Sequence, residues 1–417
     1  MSTKTTYKQT ELGLIPEDWE VNRFTDIAEL IHGFQFREEH FAENGRFGVI
    51  KIGNLTYQGN ISLDNLSKSD CEGINNYERL FLRRGDILMA LTGGTLGKMS
   101  IFNLEENRYL QNYRVGKFEP NEKSIKNYIY YLLSSTYVQK RIEDNVNEAA
   151  QPNFGKQDFD KIKIPLPPLP EQKKIADCLS TWDVAIEKQN ALINALTQRK
   201  KALMQQLLTG KKRLPGFSDE WKEVKLGDLF EKINRKNEEG NTNVVTISAQ
   251  RGFVKQTDFF NKSVASETLD NYSLIYHGEF CYNKSYSNGY PLGATKRLIA
   301  FEKAVVTTLY ICFKIKDQKK SNGSFFEQFF EANSLDRSLI KIAQEGGRAH
   351  GLLNVSLSDF FNIKIKLPPI EEQTAIAEIL AAADRELQLQ KEKLAQLQAQ
   401  KKGLMQVLLT GKKRLIN

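Results

Sequence analysis

Apolar residues step by four and three through two long stretches of the chain. In the first, Ile175, Leu179, Trp182, Ile186, Ile193, Leu196, Leu203 and Leu207 fall on one stripe, and in the second Ile376, Leu380, Ala383, Leu387, Leu394, Leu397, Leu404 and Leu408 keep the same register. A sustained repeat of about 3.5 residues marks a coiled-coil seam. Leu-Pro-Pro stands just before each run, and Gly210 or Gly411 just after it, as start and stop signals. The spacing predicts two helices of about 39 residues, roughly 58 Å long at 1.5 Å per residue.

The two stretches are copies. Gln172 recurs as Gln373, 201 residues later, and Glu171-Gln172 and Glu372-Gln373 occupy the same place in each copy. The tail Leu203 to Arg213 repeats as Leu404 to Arg414 with one change, Gln206 against Val407. Polar residues interrupt both seams, at Gln189 and Lys200 and at Gln390 and Lys401. An antiparallel pairing with these layers matched would set Gln189 against Lys401 and Lys200 against Gln390, whereas a parallel one would oppose the two lysines.

Outside the seams the pattern shortens. Apolar runs at Phe47 to Ile52 and Asp86 to Leu91, broken by Gly53-Asn54 and by Thr92-Gly93-Gly94-Thr95, predict strands, and a helix is expected over Ile125 to Ile142. The second half repeats that order with Val244 to Ile247, His277 to Phe280, Ala304 to Phe313 and a helical stretch near Phe325 to Ala343. The lead-in segments also match, Leu14-Ile15-Pro16-Glu17-Asp18-Trp19 against Leu214 to Trp221. The second helix runs to the C-terminus, so the continuation of its tail lies at the N-terminus. The repeat is circular, and the two ends should lie close together.

The expected fold class is therefore α+β: two mixed α/β domains in a circular, pseudo-two-fold repeat, separated by two long antiparallel coiled-coil helices. The boundaries fall at 1–165 for the first domain, 166–213 for the first helix, 214–366 for the second domain and 367–417 for the second helix. Helices that stay alike while the bodies diverge share one job, and the bodies have different ones.

Composition adds limits. A chain of 417 residues is long enough for two or more cores, and 40% hydrophobic with 26% charged residues is the balance of a soluble globular protein. No run of eighteen apolar residues offers a membrane span, and the start lacks a secretory core, so a cytoplasmic location is expected. Cys71, Cys178, Cys281 and Cys312 are scattered, which argues against zinc or a disulfide framework, and no metal site is predicted. The net charge of +8 raises nucleic acid above other partners only slightly.

Enzyme motifs fail on their details. Gly93-Gly94-Thr95-Leu96-Gly97-Lys98-Met99 has three residues between its framing glycines where a phosphate loop needs four, and Met99 offers magnesium no hydroxyl. Leu166-Pro167-Pro168 lacks the acidic or amide residue and the aromatic of an amino-methyltransferase signature. No catalytic residue is predicted.

What remains are loops rich in residues suited to DNA. In the first body these are Gln35, Arg37, Asn54, Tyr57, Thr92, Thr95, Lys98, Asn112, Tyr113 and Arg114. In the second they are Gln250, Arg251, Tyr282, Asn283, Lys284, Lys296, Arg297 and Arg348. Arginine and lysine can pair with guanine edges, asparagine and glutamine with adenine edges, and all can contact phosphate. Polar loops are also common on any surface, so a scaffold displaying two protein-binding domains, or a stand-alone enzyme, would carry similar residues.

The paired Leu-Pro-Pro, Glu-Gln, heptad and Leu-Leu-Thr-Gly-Lys-Lys-Arg-Leu modules, with the repeated Pro…Trp lead-ins, resemble the specificity subunit of a type I restriction-modification system over essentially the whole chain. The resemblance implies two target-recognition domains, each reading one half of a bipartite, asymmetric site in double-stranded DNA. The helices would pair antiparallel, set the spacer and dock two modification subunits. It also implies a chain without catalysis or cofactor of its own. S-adenosylmethionine, ATP and magnesium would be used only by partner subunits, the modification subunits methylating adenine and the restriction subunits cleaving DNA at the expense of ATP. Because target domains vary within that family, no DNA-contacting residue is carried over by motif.

Overall fold

The computed structural model describes residues 6–57, 59–146, 153–259, 269–343 and 353–415. Within these the chain forms two compact units, residues 1–190 with 393–417 and residues 191–392. Each unit therefore contains one α/β body and a portion of both long helices, Leu169–Leu207 and Ile370–Leu408. Each helix is 39 residues long, as the heptad spacing predicts. Among the described residues no helix is long and apolar enough to cross a membrane.

The first body is built on a four-stranded antiparallel sheet in the order Ala28–His32, Val115–Pro120, Ile87–Ala90, Met99–Ile101. A second sheet joins Ser67–Ser69, Phe47–Ile50 and Tyr109–Gln111, the last pair parallel. The second body repeats the first sheet with Phe230–Lys232, Ile311–Ile315, Phe280–Asn283, Ala294–Arg297. It replaces the other sheet with two antiparallel pairs, Val245–Ser248 with Gly252–Lys255 and Ser273–Tyr276 with Lys303–Val306, linked by a parallel bridge between Val244 and Val305. In both, a lead-in strand pairs with the strand that runs into a long helix: Glu20–Arg23 with Lys163–Leu166, and Lys222–Lys225 with Lys364–Leu367. The two bodies thus share one fold.

Three predicted elements break where local polar chemistry intervenes. The helix expected over Ile125 to Ile142 is two, Lys126–Ser134 and Thr136–Val146, because the Ser135 hydroxyl accepts from the Val138 amide and caps the second. The helical stretch near Phe325 divides into Gly323–Glu331 and Asp336–Ile342, with Asn333 between them in the left-handed region at φ 54°. The run Ala304 to Phe313 folds back at Thr307, giving the separate strands Lys303–Val306 and Ile311–Ile315.

The cores explain why the helices hold their bodies. Ile175, Ala176 and Leu179 of the first helix lie in one buried cluster with Tyr128, Ile129 and Leu132 of the first body and with Leu408 and Leu409. Ile376, Ala377 and Leu380 enter the equivalent cluster with Phe325, Phe326 and Phe329 of the second body and with Met204, Leu207 and Leu208. Each fully buried aromatic or aliphatic side chain contributes about 1.5–3 kcal/mol. By contrast Trp182, Ile186, Ile193, Leu203, Leu394, Leu397 and Leu404 are only half-buried. Leu196, Leu387 and Gln189 are nonetheless buried along the stripe, at 8%, 8% and 6% exposure.

Candidate nucleic-acid interface

Each body is fastened to the helices by the repeated residues. In the first unit Glu171, almost fully buried, accepts from Trp19 Nε1 at 2.9 Å and from Arg414 Nη2 at 2.5 Å, and Arg414 also reaches Asp18 at 2.7 Å. In the second, Glu372 accepts from Trp221 Nε1 at 2.9 Å and from Arg213 Nη2 at 2.7 Å. The carboxylates hold the Arg414 and Arg213 guanidinium groups above their ordinary pKa, with the hydrogen bond as the largest cause in each. Arg414 joins the last turn of the chain to its lead-in segment. Gly411, left-handed at φ 71°, permits this approach, since a Cβ there would meet Pro16 at 2.4 Å.

The neighbouring glutamines are fully buried and satisfied in one pattern. Gln172 Oε1 accepts from the Ile125 amide at 3.1 Å while Nε2 donates to the Lys123 and Pro167 carbonyls. Gln373 Oε1 accepts from the Asn322 amide at 2.8 Å and Nε2 donates to the Lys320 and Pro368 carbonyls. Each glutamine grips the start of its body's helix, at Lys126 or Gly323.

The seam lysines have charged partners that the heptad pattern does not name. Lys401 Nζ pairs with Asp183 at 2.5 Å and Lys200 Nζ with Asp384 at 2.5 Å. The ion-pair partners are aspartates one residue beyond Trp182 and Ala383; an ammonium group gains more from a carboxylate than from an amide. Both pairs run antiparallel within their units.

The expected DNA-contacting residues divide by burial. Gln35, Arg37 and Arg114 are exposed, and Tyr57 is 80% exposed. Lys98 holds its ammonium 4.4 Å from the centre of the Tyr57 ring, and the two line a cleft of about 920 Å³ with Gly93 and Gly94. A neighbouring cleft of about 670 Å³ is lined by Thr92, Tyr113 and Arg114 together with His32 and Asn153. Gly93 belongs to both, so Tyr57, Thr92, Lys98, Tyr113 and Arg114 share a continuous surface. Gln35 joins its edge, since the Tyr113 amide donates to the Phe34 carbonyl. The Thr92 and Thr95 hydroxyls are buried without a partner among the described residues.

Asn54 and Asn112 are turned inward. Each is 5% exposed; Asn54 accepts from the Lys51 amide and donates to the Ser62 carbonyl, and Asn112 accepts from the Arg114 amide. They brace the loops that present Tyr57 and Arg114.

In the second body Gln250 and Arg251 are exposed, and Gln250 Nε2 donates to the Asn288 carbonyl at 2.8 Å, tying two loops together. Asn283 and Lys284 begin the loop that runs to Gly293 and are half-buried. Tyr282 is buried and donates to the Leu292 carbonyl at 2.7 Å. Lys296 is buried against Glu331 and over the Tyr290 ring. Arg297 reaches Glu327 at 3.5 Å and the Gly278 carbonyl. Arg348 lies outside the described residues.

Sequence reasoning passed over Tyr286, which is 68% exposed in that same loop. The loop corresponds to Thr92–Lys98 of the first body: each follows the third strand of its sheet, and the Phe154 amide donates to the Leu91 carbonyl as the Leu353 amide does to Lys284. The equivalent loops each offer a lysine, Lys98 and Lys284, and the exposed tyrosine comes from the loop itself in the second body and from a neighbouring turn, at Tyr57, in the first.

The chain thus consists of two α/β bodies of one fold with unlike loops, each stapled by matched contacts to the long helices. A family model for the type I restriction modification DNA specificity domain matches residues 16–198 and again 218–399. The chain belongs to that family of specificity subunits. Among its relatives is the putative type I restriction enzyme MjaX specificity subunit of Methanocaldococcus jannaschii, 27% identical over 98% of this chain and 97% of the relative. The EcoKI specificity subunit of Escherichia coli is 21% identical over 87% of this chain and 82% of its own length. Among solved structures, the type I S subunit from M. genitalium shares the fold with a TM-score of 0.53 at 15% identity, covering 94% of this chain and 96% of that one. A chain from the structural work on complex assembly and conformational transition of the type I R-M system gives 0.57 at 16% identity, covering 96% and 99%.

Proposed function

We propose that this specificity subunit reads a bipartite, asymmetric site in double-stranded DNA, one half per body, and performs no chemistry itself. Its long helices set the spacer and dock two modification subunits, which transfer methyl groups from S-adenosylmethionine to adenine. Restriction subunits using ATP and magnesium complete the assembly, in the cytoplasm. The observation that carries this reading is the pairing of one sheet order and one set of staples with two unlike loop surfaces. Thr92–Lys98 and Asn283–Gly293 occupy equivalent places yet share almost no sequence, as two heads with different targets require.

In the first body the surface holding Tyr57, Thr92, Lys98, Tyr113 and Arg114 is the reading face. Arg114 is suited to a guanine edge, and Lys98 to phosphate. In the second, the loop from Asn283 with Gln250 and Arg251 serves. Mapping methylated adenines in DNA from a host carrying the assembled system tests this: two different half-sites at a constant gap are expected. An unbroken or palindromic motif would refute it. Arg114→Ala should relax one position of one half-site at a cost of about 1–3 kcal/mol and leave the other half-site intact.

A further inference from the structure

Each body makes one more polar contact with the helices, beyond its glutamine and glutamate anchors. Tyr131, on the body helix Lys126–Ser134, donates its phenol to Asp183 Oδ2 at 2.6 Å, while Lys401 Nζ takes Oδ1 of the same carboxylate. The Lys401 ammonium also lies 5.2 Å from the Tyr131 ring centre. In the second unit Gln328, on the helix Gly323–Glu331, donates to Asp384 Oδ2 at 2.9 Å, and Lys200 takes Oδ1. The phenol and the amide differ, but the construction is the same. One aspartate of a long helix gathers a donor from the body and an ammonium from the other helix.

The geometry has a mechanical meaning. The Glu171 staple and the buried cluster of Ile175, Ala176 and Leu179 hold the body over the first turns of the helix, beginning beside Gln172. Asp183 stands eleven residues further along the same helix, roughly 16 Å at 1.5 Å per residue. Two anchors that far apart define a line and block rotation in the plane of the helix. Burial first, then its bond to Asp183, raises the Tyr131 phenol well above its ordinary pKa, so the donor stays protonated.

We propose that Asp183 and Asp384, with Tyr131 and Gln328, are positioning residues that set how strictly the gap between half-sites is measured. The inference rests on the bipartite reading above. A body free to rock moves its reading loops along the DNA axis, and one base-pair step is only about 3.4 Å. The second anchor thus decides whether a target one base pair too long or too short is accepted, without touching a base.

The test uses the complex assembled with its modification subunits. Methyl transfer is measured on duplexes with identical half-sites whose gap is native, one base pair shorter or one longer. Tyr131→Phe removes the anchor bond and little else; the rate on the altered gaps relative to the native one should rise about tenfold, the scale of one hydrogen bond to a charged group. Half-site requirements should not change. Gln328→Leu should do the same for the second head. Lys401→Met leaves the phenol bond in place and should keep the gap strict, as should Asp183→Asn, which retains an acceptor for the phenol. Tyr131→Phe with wild-type gap discrimination, or equal relaxation by Lys401→Met, would overturn the proposal. A uniform loss of rate on all three gaps would also overturn it, as the mark of a merely structural bond. A wild-type complex indifferent to the gap would instead refute the bipartite reading itself, so the two failures are distinct.

Discussion

At the residue scale the strongest constraint is a buried charge with few partners. Glu171 is 3% exposed and depends on Arg414 and Trp19, and Glu372 is fully buried against Arg213 and Trp221. Removing the cation leaves a carboxylate stranded away from water, which typically costs about 3–5 kcal/mol. Arg414→Ala and Arg213→Ala should each lower the unfolding free energy by that amount, read by chemical unfolding of the purified chain, and an effect below about 1 kcal/mol would show that water reaches the carboxylate. These pairs were half-legible in the sequence. Glu171, Arg213, Glu372 and Arg414 all recur at the offset of 201, but a repeat shows that residues matter together without showing which touch. Asn54, Asn112, Tyr282 and Lys296 show the converse limit. Their side chains suit DNA chemically, yet buried partners engage them, and burial of a loop residue is set by tertiary neighbours that no local pattern encodes.

The long helices were the most legible elements, because a 3.5-residue stripe over 39 residues has no competing interpretation, and both ends carry proline and glycine signals. The shorter elements were harder, since one side-chain bond, such as that from the Val138 amide to the Ser135 hydroxyl, is enough to split a predicted helix in two. One helical position invites improvement. Gly403 lies exposed inside Ile370–Leu408, where a Cβ would meet nothing within 4 Å. Gly403→Ala should therefore stabilise the protein by roughly 0.5–1 kcal/mol, through lower backbone entropy in the unfolded chain. Thermal denaturation checks it; a lower melting temperature would mean that this turn must flex or meets a partner.

For the whole molecule, matched staples around unlike bodies predict modular behaviour. Exchanging residues 1–165 for the equivalent part of a related subunit should change one half-site in the methylation map and leave the other, whereas altered bases in both halves would contradict separate heads. The helices should act as a ruler. One extra heptad after Ile193 and another after Leu394 add about 10 Å, equivalent to roughly three base pairs. The mapped gap should lengthen with the half-sites unchanged, and an unchanged gap with full activity would sink the ruler.

The staple at Arg414 has a further consequence for the gene. Asp18 and Trp19 meet the end of the second helix as Trp221 meets the end of the first, so each body is framed by the same lead-in, the same glutamine and the same returning arginine. The frames do not distinguish their occupants. If the coding segments for the two bodies traded places, every staple could form again, and the product would be the same scaffold written from the other starting point. Under the proposed reading, with one half-site per body, the antiparallel DNA strands would make its target the original one spelled on the complementary strand, so the order of the bodies would store no information about the site, and recombination would reverse it without changing the methylation map.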